Sequence, residues 1–202
     1  ILAKLRKPSG GEITQYIDPA SGQKWKGGRS WFSKTAVVYQ NPDYQLFMPT
    51  VLDEIEFGAV TSARSSRHGG KFGGNVQEAR KYAYRILEMF GLEKMKDRHP
   101  QSLSEGQKRR LSIAAALSSC PEVLLLDEPT VGQDFEGLKY LVRILNDIHE
   151  ETENTMITVT HDRRCADALC DRAVLIRDGV IAETGDGLFA ENYLSCLHPS
   201  DQ

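Results

Sequence analysis

The chain has 202 residues, 40% of them hydrophobic and 26% charged, with a formal net charge of −3. That length and balance suffice for one globular domain with room for a subdomain, and they supply no basic field to attract nucleic acid. No apolar run approaches the ~18 residues of a membrane helix, and no signal-peptide pattern is evident.

The five histidines follow no metal-ligand spacing, and Cys120, Cys165, Cys170 and Cys196 lack C-x-x-C spacing, so they read as reduced thiols of a cytosolic protein. Ile1–Lys7 has helical spacing with nothing capping its start and is stopped by Pro8-Ser9-Gly10-Gly11. Glu12–Ile17 reads as a strand. Asp18–Lys34 is rich in Gly, Ser and Lys and reads as a hairpin and loop. Its basic residues interleave with Trp25 and Trp31, a composition that also suits single-stranded nucleic acid. The stretch is short and the chain acidic, so a surface loop with anchoring aromatics is expected and no nucleic-acid partner.

Ala36–Tyr39 is an apolar strand that delivers Gln40, and Asn41-Pro42-Asp43 is a turn. An amide at a strand end can offer a carbonyl oxygen to Mg²⁺ and an N–H to water or phosphate; a plain strand-turn is the alternative. Leu46, Phe47 and Met48 form either an exposed apolar grip or buried core. Ala59–Asn75 is Gly/Ser/Arg-rich and is expected to be a mobile loop. Val76–Phe90 has helical period, with Gly91 placed to end it.

Two chemical devices follow back to back. Ser104 is a good N-cap at the head of an apolar-periodic helix, and Gly106 lets backbone approach a ligand. The free N–H groups and positive dipole end there suit a phosphate oxygen, with Lys108, Arg109 and Arg110 nearby; an ordinary capped helix has the same local pattern. Val123–Leu126 has no polar alternation, so both faces are expected to be buried, as in a parallel sheet. Asp127 and Glu128 close that strand, where open α/β sheets place their ligands. Alternation along a strand points adjacent side chains to opposite sides, so the two acids are expected to do different work. A solvated strand end would accept acids as well. Leu138–Glu150 is amphipathic through Leu138, Leu141, Val142, Leu145 and Ile148, with His149 at its surface. Met156–Thr160 is a strand ending at His161-Asp162, and Ala173–Ala182 is a β-hairpin with an Asp-Gly turn.

Taken in order, these stretches resemble the ATP-binding-cassette (ABC) ATPases. Leu103–Gln107 resembles their signature loop, Val123–Glu128 the Walker B strand with its glutamate, and Val131-Gly132-Gln133-Asp134 the D-loop. His161 stands at the switch-histidine position and Gln40 at the Q-loop glutamine. The resemblance implies an α/β fold: a P-loop NTPase-like (RecA-like) core with a parallel sheet over 1–58 and 119–190, an inserted α-helical subdomain over 59–118, and a tail over 191–202. It also implies ATP and Mg²⁺ as cofactors. Asp127 and Gln40 would hold the metal, Glu128 would polarise the attacking water, and His161 would sense the γ-phosphate. Ser104, Gly106, Gln107 and Asp134 would work across a head-to-tail dimer, on ATP held by a second ABC ATPase subunit. Glu105 replaces the more usual glycine of that loop. A carboxylate near phosphate is repulsive by ~1 kcal/mol per charge pair at 4 Å in water, a cost that vanishes if the side chain points outward.

The wording Gln40-Asn41-Pro42-Asp43-x-Gln45-Leu46-Phe47, continued by Thr50–Gly58, is similar to one branch, the ATPases of energy-coupling-factor importers of vitamins or transition-metal ions. That likeness implies a place on the cytoplasmic face of the membrane, with the region around Asn41–Met48 gripping integral membrane subunits. The phosphate-binding motif G-x-x-x-x-G-K-S/T does not occur in the 202 residues. The expectation is therefore a piece of a longer reading frame that is inactive alone. Two rival readings stand beside this one: a soluble ABC-type ATPase outside transport, and a non-hydrolysing interaction module.

Overall fold

A computed structural model describes residues 15–18, 23–25, 35–65, 71–152 and 154–186. The expected helix over 1–7, Trp31, Cys196 and the tail over 191–202 lie outside them. Strand β1 (Gln15–Asp18) pairs antiparallel with β2 (Gln23–Trp25), the hairpin expected there.

The centre is a three-stranded parallel sheet in the order β3-β4-β5, formed by Thr35–Val38, Val123–Asp127 and Thr155–Val159. The unbroken apolar run takes the middle place because both its faces are covered. Leu124 and Leu126 enter the main core with Val38, while Val123 and Leu125 form a smaller cluster with Val37 on the other face. Val38 lies opposite Leu126, and Asp127 opposite Val159, so the three strands end side by side.

Between β3 and β4 the chain makes three packed helices: α1 (Val51–Ser65), α2 (Val76–Met89) and α3 (Glu105–Ser118). Helix α1 corrects the loop expected from residue 59 onward. Val51, Ile55, Ala59 and Ala63 recur every four residues and are all buried, so one apolar stripe carries the helix through to Ser65. The Thr, Ser and Arg residues that suggested a loop are those the stripe leaves on its other sides. Helix α1 also runs unbroken through residues 58–59. At Gly58 an added Cβ would lie 2.3 Å from Ser118 Oγ and 2.8 Å from Ala115 O, so the missing side chain is what lets α1 meet α3.

Asn75 caps α2 by accepting from Gln77 N and Glu78 N, and Gly91, at φ +62°, ends it as expected. Two more distant side chains satisfy the carbonyls there: Tyr140 Oη donates to Met89 O (2.8 Å) and Arg110 Nη1 to Phe90 O (3.2 Å).

After β4, helix α4 (Phe135–Thr152) buries Leu138, Leu141, Ile144, Leu145 and Ile148, whereas Val142 is only half-buried. Helix α5 (Arg163–Leu169) starts on an Asp162 cap, and β6 (Arg172–Arg177) with β7 (Val180–Asp186) forms the expected hairpin. Its turn residues Asp178 and Gly179 both have positive φ, as a two-residue turn of this hand requires. No helix among the described residues is long and apolar enough to cross a membrane.

Candidate functional site

The site is built where the parallel strands end. Gln40 follows two residues after β3 ends at Val38, opposite Leu126, and just beyond the Asp127–Val159 pair β5 delivers Thr160 and His161. This is the edge at which open parallel sheets hold ligands.

Asp127 is the last residue of β4 and is exposed. Glu128 is already off the strand. Its φ is +48°, a conformation that L residues rarely hold. Strand alternation, the reason expected for giving the two acids different work, therefore stops short of Glu128, whose backbone turns left-handed. The Glu128 amide still extends the ladder, donating to Val159 O at 2.8 Å. Its carboxylate is half-buried and held at both oxygens: Oε1 lies 2.7 Å from His161 Nδ1, and Oε2 accepts from Thr160 Oγ1 at 3.3 Å.

His161 is exposed, and the hydrogen bond to Glu128, reinforced by that group's charge, raises its pKa above the ordinary imidazole value. The protonated ring's contribution to stability is full below its unfolded pKa and is lost as pH rises through the raised folded value. Proton NMR of the imidazole should show a midpoint above ~6.5 that returns toward it in Glu128→Gln. A midpoint identical in both proteins would dissolve the pair.

The signature-like loop is a complete capping box. Ser104 Oγ accepts from Gln107 N (3.4 Å), and Gln107 Oε1 accepts from Ser104 N (3.0 Å). Glu105 is exposed, and its carboxylate lies 3.5 Å from the Nζ of the buried Lys108. Gln133 bridges to this loop, donating through Nε2 to Gly106 O at 3.3 Å. Asp134 caps α4, its Oδ1 accepting from Gly137 N at 2.7 Å. The contacts of Ser104, Gly106 and Gln107 are thus to one another and to Gln133, not to Asp127 or Glu128, whereas Glu128 and His161 meet directly.

Two residues matter here that the sequence alone did not single out. Arg109 is only 3% exposed and reaches across to the main chain at Tyr39 and Gln40. Burial lowers its pKa, opposed by the charges of Glu105, Asp127 and Glu128. Glu54, also buried, accepts from Phe47 N (2.9 Å) and Met48 N (2.7 Å), and burial pushes its carboxyl above the usual range. That anchor settles the segment whose exposure the sequence left open. Leu46 is core, Met48 half-buried, and Phe47 exposed, edge-on to Phe57 at 5.4 Å between centroids. Their signal was weak: one arginine among three neighbouring cations, and one glutamate in an acidic helix start.

Among the described residues no group of three or more His, Cys, Asp or Glu side chains is placed to hold a metal ion. A carboxylate and an amide, the side-chain types of Asp127 and Gln40, are hard oxygen donors. That set fits Mg²⁺, which keeps several waters and binds through one or two carboxylates together with substrate phosphates. His149, expected at the surface, has its Nδ1 2.8 Å from Asn154 O.

Comparison with known proteins adds the wider frame. A family model described as ABC transporter matches residues 1–131. The energy-coupling factor transporter ATP-binding protein EcfA2 of Bacillus subtilis is 36% identical over 186 residues, covering 91% of this chain and 64% of that protein. The chain thus spans less than two thirds of this curated relative. Among solved structures, cbiO1 from Clostridium perfringens, described as part of the ABC transporter complex cbiONQ, matches at TM-score 0.74 and 30% identity over 98% of this chain and 75% of that one. The dimeric, ADP- and Pi-bound ATP-binding cassette MJ0796 matches at TM-score 0.70 and 27% identity over 91% of this chain and 76% of that one. With a family model covering more than half its length and relatives of the same kind among both sequences and solved structures, the chain belongs to the ABC transporter family.

Proposed function

We propose that the chain forms most of the ATP-binding and ATP-hydrolysing subunit of an energy-coupling-factor type importer of vitamins or transition-metal ions. The observation that carries the reading is the row of Gln40, Asp127, Glu128 and His161 across the ends of three adjacent parallel strands, with Glu128 already hydrogen-bonded to His161. The likeness to EcfA2 and cbiO1 supports the transport branch over a soluble ATPase, and the intact pair of acids supports hydrolysis over a passive interaction module.

Phosphoryl transfer is mostly positioning and charge neutralisation. Water attacks the γ-phosphorus, the bond to the β-bridging oxygen breaks, and the water's proton passes to the Glu128 carboxylate. His161 holds that carboxylate in place and senses the γ-phosphate. Asp127 and Gln40 would hold Mg²⁺, which when bound neutralises charge on the phosphates. Ser104, Gly106, Gln107 and Asp134 would act on ATP held by a second ATPase subunit, so that ATP closes the dimer and hydrolysis opens it. Exposed Tyr44 and Phe47 lie in the segment Asn41–Met48, assigned to grip the membrane subunits on the cytoplasmic face. We assign residues 1–50 and 119–190 to the nucleotide-facing core and 51–118 to the helical subdomain, moving the junction from 58/59 to a point ahead of Val51 because α1 is continuous.

The test joins the chain to an upstream G-x-x-x-x-G-K-S/T loop and follows two readouts. Phosphate release should require Mg²⁺, and light scattering should show a dimer only with ATP. A protein that stays monomeric and releases no phosphate at saturating ATP would overturn the reading.

A further inference from the structure

Three side chains fasten the segment after β3 to helix α3. Arg109 donates through Nη1 to Tyr39 O at 2.8 Å and through Nη2 to Gln40 O. Lys108 Nζ donates to the Asp43 carboxylate at 2.8 Å, and this contact holds Asp43 below the usual carboxylate range. Gln45 closes the connection from the other side: Nε2 donates to Ser112 O at 2.9 Å, and Oε1 accepts from Tyr39 N at 3.3 Å.

The chemistry of these contacts sets which body the segment follows. Lys108 and Arg109 are 7% and 3% exposed, and a buried cation left without a partner is costly. Among the described residues Arg109 has no carboxylate in direct contact to replace the two carbonyls, and no hydrogen-bond partner for its buried Nε. Pulling residues 39–43 away from α3 would therefore strip Arg109 of both carbonyls and leave Lys108 only the longer contacts to Gln101 (3.3 Å) and Glu105 (3.5 Å). On the other side the tie is thinner. The paired register of β3 with β4 ends at Val38–Leu126, and the Tyr39 amide already turns to Gln45.

We infer that Arg109 and Lys108 make the Gln40 segment part of the α3 body, so that the signature helix sets where Gln40 stands relative to Asp127, with Arg109 as the positioning residue. The consequence for hydrolysis rests on the function proposed above; the clamp itself does not. The give then lies at the Val38–Tyr39 junction. Any shift of α3 as the signature loop engages nucleotide would carry Gln40 and the exposed residues Tyr44 and Phe47 with it.

Two arms separate the clamp from its consequence. In amide hydrogen exchange of the nucleotide-free protein, Arg109→Met should speed exchange of the amides of residues 39–46 about tenfold while those of 113–117 stay protected. Lys108→Met leaves Arg109 in place and should act in the same direction, so it decides the matter if Arg109→Met does not fold. Unchanged exchange in the variants overturns the clamp whatever the protein hydrolyses. In the protein carrying a phosphate-binding loop, Arg109→Met and Gln40→Ala should each lower kcat and raise the Mg²⁺ concentration for half-activity. The double variant should be no worse than the poorer single one. Losses that multiply in the double variant overturn the positioning role, since an arginine serving only stability would act independently of Gln40. If the parent protein turns over no ATP, the proposed function fails and the exchange arm still decides the clamp.

Discussion

Glu128→Gln should lower ATP turnover about 10²–10⁴-fold while leaving ATP affinity close to that of the parent protein. The change keeps the shape of the side chain and an oxygen that can still accept from Thr160 Oγ1 or His161 Nδ1. What it removes is the ability to take a proton from water. The residue's left-handed backbone, at φ +48°, is no harder for glutamine than for glutamate, so the fold should tolerate the change. The measurement is phosphate release at saturating ATP, paired with calorimetric ATP binding, in a protein that carries the phosphate-binding loop. Turnover equal to that of the parent would remove Glu128 from the base role, and a matching loss of affinity would assign it to binding.

Leu126→Ala should cost about 2–5 kcal/mol, the usual range for truncating a buried leucine when the surroundings cannot fully collapse. Leu126 is 1% exposed in the middle strand, with Val38 on one neighbouring strand and Thr158 on the other. Urea unfolding should show a lower midpoint at an unchanged slope. Val159, on the edge strand and 59% exposed, provides the contrast, since Val159→Ala should change stability by no more than about 0.5 kcal/mol. Equal effects at the two positions would show that the core is not organised around β4.

The most readable parts of the chain were those governed by neighbours in sequence. Ser104 reads as an N-cap, and the structure caps the helix there, with Gln107 adding the reciprocal bond of a capping box. Asp178-Gly179 demands positive φ at both residues and makes the two-residue turn between β6 and β7. Residues 59–65 were misread because polar Thr61, Ser62 and Arg64 outweigh Ala59 and Ala63 in composition, while burial follows spacing. The reason assigned to the two acids failed in a different way: alternation holds along a strand, and the strand stops one residue too early for it to reach Glu128.

What the sequence by itself determined is the set of elements whose physics is short-ranged: an apolar run buried on both faces, capped helix starts, a tight turn, and acids at a strand's end. Tertiary structure decided which distant groups meet. It set Arg109 on the carbonyls of Tyr39 and Gln40, Glu54 on the amides of Phe47 and Met48, and Gly58 against Ala115 and Ser118. Each of those pairs joins residues whose local pattern is ordinary. A buried charge or a missing side chain acquires its meaning only from the atoms that folding brings to it, and no spacing along the chain records them.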